Sequence, residues 1–126
     1  MCIRDRVARL SDDRYFVTTT TTNIEMIEGW FKWWLATDIN LDVTIANITS
    51  ELAAINIAGP KARDLMNKVS KDDFSNENFK WLSSKKVDIG YAPCTAIRVN
   101  FVGELGWEIH HPVSYTHLTL PTKRIV

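Results

Sequence analysis

Residues 95–110 read TAIRVNFVGELGWEIH, and this stretch is the most informative part of the chain. Its first half alternates apolar with polar residues, a period of two that is typical of a half-buried strand. The sequence GELG at 103–106 then supplies a tight turn, and apolar residues resume after it. We therefore predict a β-hairpin whose strands run over 95–102 and 107–110.

Two helices are predicted upstream of this hairpin, because apolar residues recur there at helical spacing. The first spans about 24–35, has Asn23 as its N-cap and carries three tryptophans that we expect in the core. The second spans 62–69 and is amphipathic. Gly59 and Pro60 separate it from the preceding apolar run, and proline is favoured in the first turn of a helix.

Three other parts of the chain are interpreted from composition. Residues 15–17 are aromatic or β-branched and predict a strand that ends in a threonine run. Residues 41–45 alternate and residues 52–58 are mostly apolar, with a turn sequence at 49–50, so we predict another hairpin. Residues 71–86 are mostly polar, and we expect a loop or a helical turn held by aromatic side chains.

The order of these elements predicts an α+β fold. It matches a ferredoxin-like β-α-β-β-α-β core, in which an antiparallel sheet carries two helices on one face. A length of 126 residues accommodates one such domain. Residues 1–6 and 113–126 lack the periodicity of the middle and look non-native. We therefore assign the domain to residues 7–112.

The charge balance limits the classes of partner. Lys and Arg number 15, as do Asp and Glu, so the chain lacks the cationic excess that phosphate-backbone binding requires. No stretch approaches the roughly 20 apolar residues of a membrane span, and the N-terminus is charged where a signal peptide is apolar. We expect neither nucleic acid nor a membrane as partner, and a bacterial cytoplasm or, in a eukaryote, the mitochondrial matrix.

Cysteine and histidine spacing gives no metal-binding pattern. Cys2 and Cys94 are isolated thiols, which we expect to be unpaired. His110 and His111 are neighbours on a predicted strand, where their rings point to opposite faces and cannot readily share one metal ion. We predict surface histidines and no metal site.

The hairpin holds the one concentrated signal for a binding site. Glu104 lies in its turn, and alternation puts Glu108 on the face opposite Trp107 and Ile109. A carboxylate beside an aromatic wall suits a flat heterocycle with adjacent N–H donors, such as a pterin, because two parallel hydrogen bonds fix the ring while it stacks. Alternatively, Glu104 is a solvated turn residue and Glu108 pairs with Arg98 on the surface.

Several segments together resemble one known family. They are Arg9-Leu10 with Tyr15-Phe16, residues 47–49 (NIT), 58–64 (AGPKARD), 95–98 (TAIR) and, above all, 103–108 (GELGWE). Over about residues 7–112 the chain resembles the tetrahydrofolate-binding domain of the aminomethyltransferase family, which includes the glycine-cleavage T-protein. The 103–108 segment and residues 69–76 are most similar to the folate domains of dimethylglycine dehydrogenase or oxidase and sarcosine dehydrogenase.

The resemblance implies a one-carbon transfer. An iminium or aminomethyl carbon would be captured by a folate nitrogen, giving 5,10-methylenetetrahydrofolate in glycine, sarcosine or dimethylglycine catabolism. Glu108 matches the pterin-binding glutamate of the family, and Phe101 stands where a tyrosine is usual. The other cofactor-binding residues that the resemblance implies are Arg9, Leu10, Ser11, Ile109 and His110.

The resemblance leaves the catalytic residue unassigned. The catalytic aspartate of the family belongs just upstream of Val7, where Arg4 stands at the expected place and Asp5 lies one residue away. FAD would belong only to an absent flavin domain of a longer parent, and the expected partners are folate and either that flavin domain or a lipoyl carrier protein. In the family the domain extends beyond His111, so the resemblance implies a partial domain, which we expect to expose apolar surface and to be inactive alone. The alternative is a folate-binding or structural module without catalytic activity.

Overall fold

The computed structural model describes residues 6–38 and 40–118, which form two compact units. The first unit extends to Ile48 and the second begins at Thr49. The first unit contains strands β1 (Arg6–Arg9) and β2 (Tyr15–Thr18), a short 3-10 helix (Thr21–Asn23) and helix α1 (Ile24–Thr37). The second contains β3 (Leu52–Ala58), helix α2 (Ala62–Val69), β4 (Ser84–Ile89), β5 (Ala92–Ile97), β6 (Gly106–Pro112) and a 3-10 helix (Val113–Leu118).

The α+β class with antiparallel sheets and two helices is confirmed. In the first unit, β1 and β2 form an antiparallel pair. In the second unit, four antiparallel strands lie in the order β3-β6-β5-β4. The described strands are thus divided between two sheets, and their order along the chain differs from the ferredoxin-like order because β1 pairs with β2 and three strands follow α2.

Helix α1 has the predicted position, but its tryptophans are not in a core. Trp30, Trp33 and Trp34 are each about half exposed, at 55%, 56% and 48%. Their rings pack on one another edge to face, with centroids 4.9 Å apart for Trp33 and Trp34. The prediction of a buried stripe is wrong, because the described part of the first unit has only a two-stranded sheet and one helix of this length, which are too few elements to enclose three indoles.

The core of the second unit lies between α2, the sheet and the loop that joins α2 to β4. Trp107, Met66, Phe74 and Phe79 are 0% exposed, and Ile109 is 2% exposed. The Phe74 and Trp107 rings meet edge to face at 5.4 Å, a favourable aromatic geometry. The expectation that aromatic residues hold the polar loop is therefore confirmed for its two phenylalanines.

Helix α2 begins where the sequence predicted. Strand β3 ends at Ala58, and Gly59 has φ +129°, a backbone conformation that favours glycine. Of the apolar residues on the helix, Ala62 and Met66 are buried in the core. They contribute to the same apolar cluster as Trp107.

Two strand predictions between residues 41 and 89 are wrong. Residues 41–45 form no strand, and β3 pairs with β6 instead of forming the predicted hairpin. Alternation indicates which residues would share a face but not which strand will pair with them. Strand β4 was hidden within the polar 71–86 segment because an edge strand tolerates exposed lysines, here Lys85 and Lys86.

The final hairpin is confirmed with different bounds. Strand β5 ends at Ile97, five residues before the predicted end, and residues 98–105 form the connection to β6. The register of β4 and β5 continues for one more residue, since the Arg98 amide donates to the Ser83 carbonyl. The chain then turns, and the Val99 amide donates to the Ile97 carbonyl two residues before it. The Val102 amide donates to the Asn100 side chain.

We predict that Gly106→Ala destabilises the protein by about 1–3 kcal/mol, because an added methyl group overpacks a closed site. A Cβ at Gly106 would overlap the Asn100 amide nitrogen and the Ile57 carbonyl oxygen. Gly29 in α1 is the matched control, since a Cβ there meets nothing within 4 Å and alanine favours a helix. Urea unfolding measures both variants, and equal effects would contradict the packing argument.

We also predict that Cys94 is unreactive in the folded protein. The side chain is 6% exposed, and burial raises the pKa of its thiol, which lowers the population of the nucleophilic thiolate. In a Cys2→Ser variant, labelling by a thiol reagent at pH 8 should be at least about tenfold slower in buffer than in denaturant. The same rate in both solvents would show that Cys94 is accessible.

Candidate functional site

Strand β6 lies between β3 and β5 and has two different faces. Trp107, Ile109 and His111 are buried on the core side, whereas Glu108 and His110 alternate with them and lie on the other side. The sequence prediction for the orientation of Glu108 is confirmed. The prediction of surface histidines is wrong, since His111 is 4% exposed and the His110 side chain 10% exposed. His111 is buried because alternation places its side chain on the core face of β6 with Trp107 and Ile109.

Glu108 and His110 form the polar centre of the face opposite the core. His110 Nε2 lies 3.6 Å from Glu108 Oε2, and the Glu108 side chain is only 14% exposed. Residues paired directly across antiparallel strands share a face, so the register identifies their neighbours. These are Asn56 and Ile97 beside Glu108, and Ala54 and Thr95 beside His110.

The two glutamates of the hairpin are in different environments. Glu104 is exposed in the loop before β6, whereas Glu108 is shielded on the strand. Phe101 is in the same loop as Glu104 and is 53% exposed. Gly103 has φ +74°, so this loop needs a residue that accepts a left-handed backbone. Of the predicted cofactor-binding residues in this region, Glu108 and His110 share one face of β6, and Ile109 lies on its core face. Phe101 belongs to the preceding connection.

Arg98 does not form the surface ion pair that was the alternative for Glu108. Its guanidinium donates to the Phe79 carbonyl and to Asn76 Oδ1, and its Cζ lies 5.8 Å from the centroid of the Trp107 ring. Trp107 lies on the core side of β6, opposite Glu108. Burial, together with the neighbouring Arg63 charge, lowers the pKa of Arg98.

The three remaining predicted residues are in the first unit. Arg9 ends β1 and its guanidinium bonds the Asp12 carboxylate at 2.7 Å. The Leu10 amide donates to the Arg14 carbonyl, and the Ser11 hydroxyl donates to the Asp13 carboxylate. These contacts describe a tight turn between β1 and β2. A role for Arg9, Leu10 and Ser11 in cofactor binding stays a prediction.

Other sequence expectations concern residues beyond this region or other kinds of site. Cys2, Arg4 and Asp5 lie outside the described residues. Within residues 6–38 and 40–118, no group of three or more His, Cys, Asp and Glu side chains is arranged to hold a metal ion. In the same part of the chain, no helix combines the length and apolar character needed to cross a membrane.

Asn56 and Thr95 were missed by sequence reasoning. A polar Asn56 in the middle of the apolar run LAAINIA was a signal for β3, but its position beside Glu108 depends on the strand register. Together the face offers a carboxylate that only accepts hydrogen bonds, an imidazole, an amide and a hydroxyl. Such a set can orient a polar ring that carries several N–H donors.

Comparison with known proteins gives a consistent result. Residues 3–120 match the family described as the GCVT N-terminal domain. Human mitochondrial dimethylglycine dehydrogenase is 46% identical over 70 residues, which cover 56% of this chain and 8% of that protein. The sarcosine oxidase subunit alpha of Corynebacterium sp. (strain P-1) is 37% identical over 107 residues, covering 82% of this chain and 11% of the relative.

A third relative is not an oxidase or dehydrogenase by name. The aminomethyltransferase of Thermoanaerobacter sp. (strain X514) is 31% identical over 109 residues, which cover 86% of this chain and 28% of that protein. The chain thus spans a minor part of the length of each of these relatives. The family match covers most of the chain, and it includes the Glu108 strand and the loop before it. This chain belongs to the GCVT N-terminal domain family.

Proposed function

We propose that this chain is part of a domain that binds tetrahydrofolate and transfers a one-carbon unit to it. The relatives support this class of reaction, since they are named for dimethylglycine, sarcosine and an aminomethyl group. Each name denotes a carbon attached to an amine nitrogen. The shared family is the reason to compare this chain with those proteins.

The observation that carries the proposal is the shielded carboxylate of Glu108. Its side chain is 14% exposed and lies beside His110, Asn56 and Thr95 rather than in bulk water. A carboxylate in such a place binds N–H donors more strongly than one on the surface, because less water competes for its oxygens. The pterin ring of folate offers adjacent N–H donors on one edge. These residues fit that ring.

Each residue has a separate part in the proposed site. Glu108 accepts two hydrogen bonds from the pterin edge and fixes its orientation. His110, within ion-pair distance, holds the carboxylate in place, and the Ile109 side chain anchors the strand in the core. Phe101 provides an aromatic face for the bound ring. When bound, the folate supplies the nitrogen nucleophile that takes up the one-carbon unit.

The source of the carbon is a finer part of the proposal. In a longer protein an adjoining flavin domain would oxidise dimethylglycine or sarcosine, whereas in a glycine-cleavage system a lipoyl carrier would deliver the aminomethyl group. The human relative is named as mitochondrial. We accordingly propose the mitochondrial matrix for a eukaryotic protein and the cytoplasm for a bacterial one.

We predict that Glu108→Gln weakens the binding of tetrahydrofolate by about 10- to 100-fold, because charge-assisted hydrogen bonds are replaced by weaker neutral ones. Glu104→Gln is the matched control: it removes the same charge from the exposed turn and should change the affinity by less than about twofold. Fluorescence titration with a stable reduced folate measures all three proteins. Equal affinities of the wild type and Glu108→Gln would refute the anchor.

We further predict that Phe101→Tyr tightens folate binding by a small factor, about two- to fivefold. The ring keeps its aromatic face and gains a hydroxyl group that can form one more hydrogen bond. Phe101→Leu should weaken binding, since the aromatic face is lost. A leucine variant that binds as well as the wild type would remove Phe101 from the site and leave the test of Glu108 unaffected.

A further inference from the structure

Two guanidinium groups converge on one side chain on the core side of the sheet. Arg63 comes from α2 and Arg98 follows β5. The Nη2 atoms of both donate to Asn76 Oδ1, each at 2.7 Å. Two positive charges thus share a single neutral acceptor.

Backbone and aromatic contacts hold the two arginines in this arrangement. Arg63 Nε donates to the Phe74 carbonyl at 2.9 Å, and Arg98 Nη1 donates to the Phe79 carbonyl. Their Cζ atoms lie 5.9 Å and 5.8 Å from the centroid of the Trp107 ring. The cations are therefore fixed side by side and cannot separate without breaking several contacts.

The charges of this pair have no counter-ion among the described residues. Neither arginine has a carboxylate within 4.0 Å there, although Asp64 and Glu77 are neighbours of Arg63 and Asn76 in the sequence. Burial lowers the pKa of Arg98, and the neighbouring Arg63 charge lowers it further, as expected for cations that repel each other. An adjacent anion would remove this repulsion.

The pair also keeps hydrogen-bonding capacity toward solvent. Each guanidinium has more N–H donors than its two described bonds use. Arg98 Nε is buried without a partner among the described residues, so the donors that Arg98 can offer to an anion from the water are the remaining N–H groups of its Nη atoms. The bonds to Asn76 are at the exposed end of both groups, whereas the bonds to the backbone are partly buried. A small anion can therefore approach the ends of the guanidinium groups from the water.

We propose that Arg63 and Arg98 form a binding site for a small oxyanion, a phosphate or a carboxylate. The N–H groups of a guanidinium have the spacing of the oxygens of such an anion. Different oxygens of one anion would accept hydrogen bonds from Arg63 and from Arg98, so the anion would bridge the two cations beside Asn76. The site is on the core side of β6, away from Glu108, and does not depend on the proposed folate function. Binding would stabilise the loop between α2 and β4 against the sheet.

The test measures thermal unfolding of the full chain with sodium phosphate, sodium acetate or sodium chloride at equal ionic strength. We expect phosphate or acetate to raise the Tm by at least about 3 °C more than chloride does. The better of the two anions identifies the preferred geometry, tetrahedral or planar. An equal effect of all three salts would overturn the proposal.

Asn76→Asp separates a specific site from a general salt effect. The new carboxylate would itself neutralise the pair, so the variant should melt above the wild type in chloride and gain less than about 1 °C from the oxyanions. Asn40→Asp makes the same charge change at an exposed position of the first unit and should respond like the wild type. An unchanged oxyanion effect in Asn76→Asp would refute the site.

A second pair of variants tests the fork geometry. Arg63→Lys and Arg98→Lys keep the positive charge but lose the paired N–H donors. Calorimetric titration with phosphate should show at least about tenfold weaker binding for each than for the wild type. Wild-type affinity in both lysine variants would mean that charge alone attracts the anion, and the proposed bridge would be wrong.

Discussion

Burial of the Trp107 side chain is the constraint on which the second unit depends. The indole is 0% exposed and is enclosed by Phe74, Phe79 and the guanidinium groups of Arg63 and Arg98. Hydrophobic burial of a side chain of this size contributes about 4–6 kcal/mol. A shift of β6 by one residue would expose this ring and place Glu108 in the core. Both changes are costly, so the register is strongly specified.

The orientation of the candidate site follows from this register. Because side chains alternate along a strand, Trp107 and Ile109 on the core side require Glu108 and His110 on the opposite side. The strand lies between β3 and β5, which place Asn56 and Thr95 beside these two groups. The burial of Trp107 and Ile109 therefore determines the orientation of the polar face, although no residue of that face is part of the core.

The loop between α2 and β4 shows how a polar segment can be part of a core. The rings of Phe74 and Phe79 are buried in the core. Arg63 and Arg98 donate hydrogen bonds to the carbonyl groups of these two loop residues, which have no partner in a neighbouring strand of the described chain. Buried carbonyl groups need donors, and a guanidinium can supply several at once. The same bonds bring two cations together at Asn76, which is an electrostatic cost of closing the loop in this way.

The sequence by itself determined the α+β class, both helices, the start of α2 after Gly59 and the face on which Glu108 lies, because periodicity and turn chemistry are local properties. The tertiary structure decided which strands pair, how far β5 extends, that the α1 tryptophans stay half exposed, and that Arg98 binds Asn76 instead of Glu108. These outcomes depend on contacts between residues far apart in the chain. No local pattern records which of several possible partners will supply a hydrogen bond, an ion pair or an apolar surface.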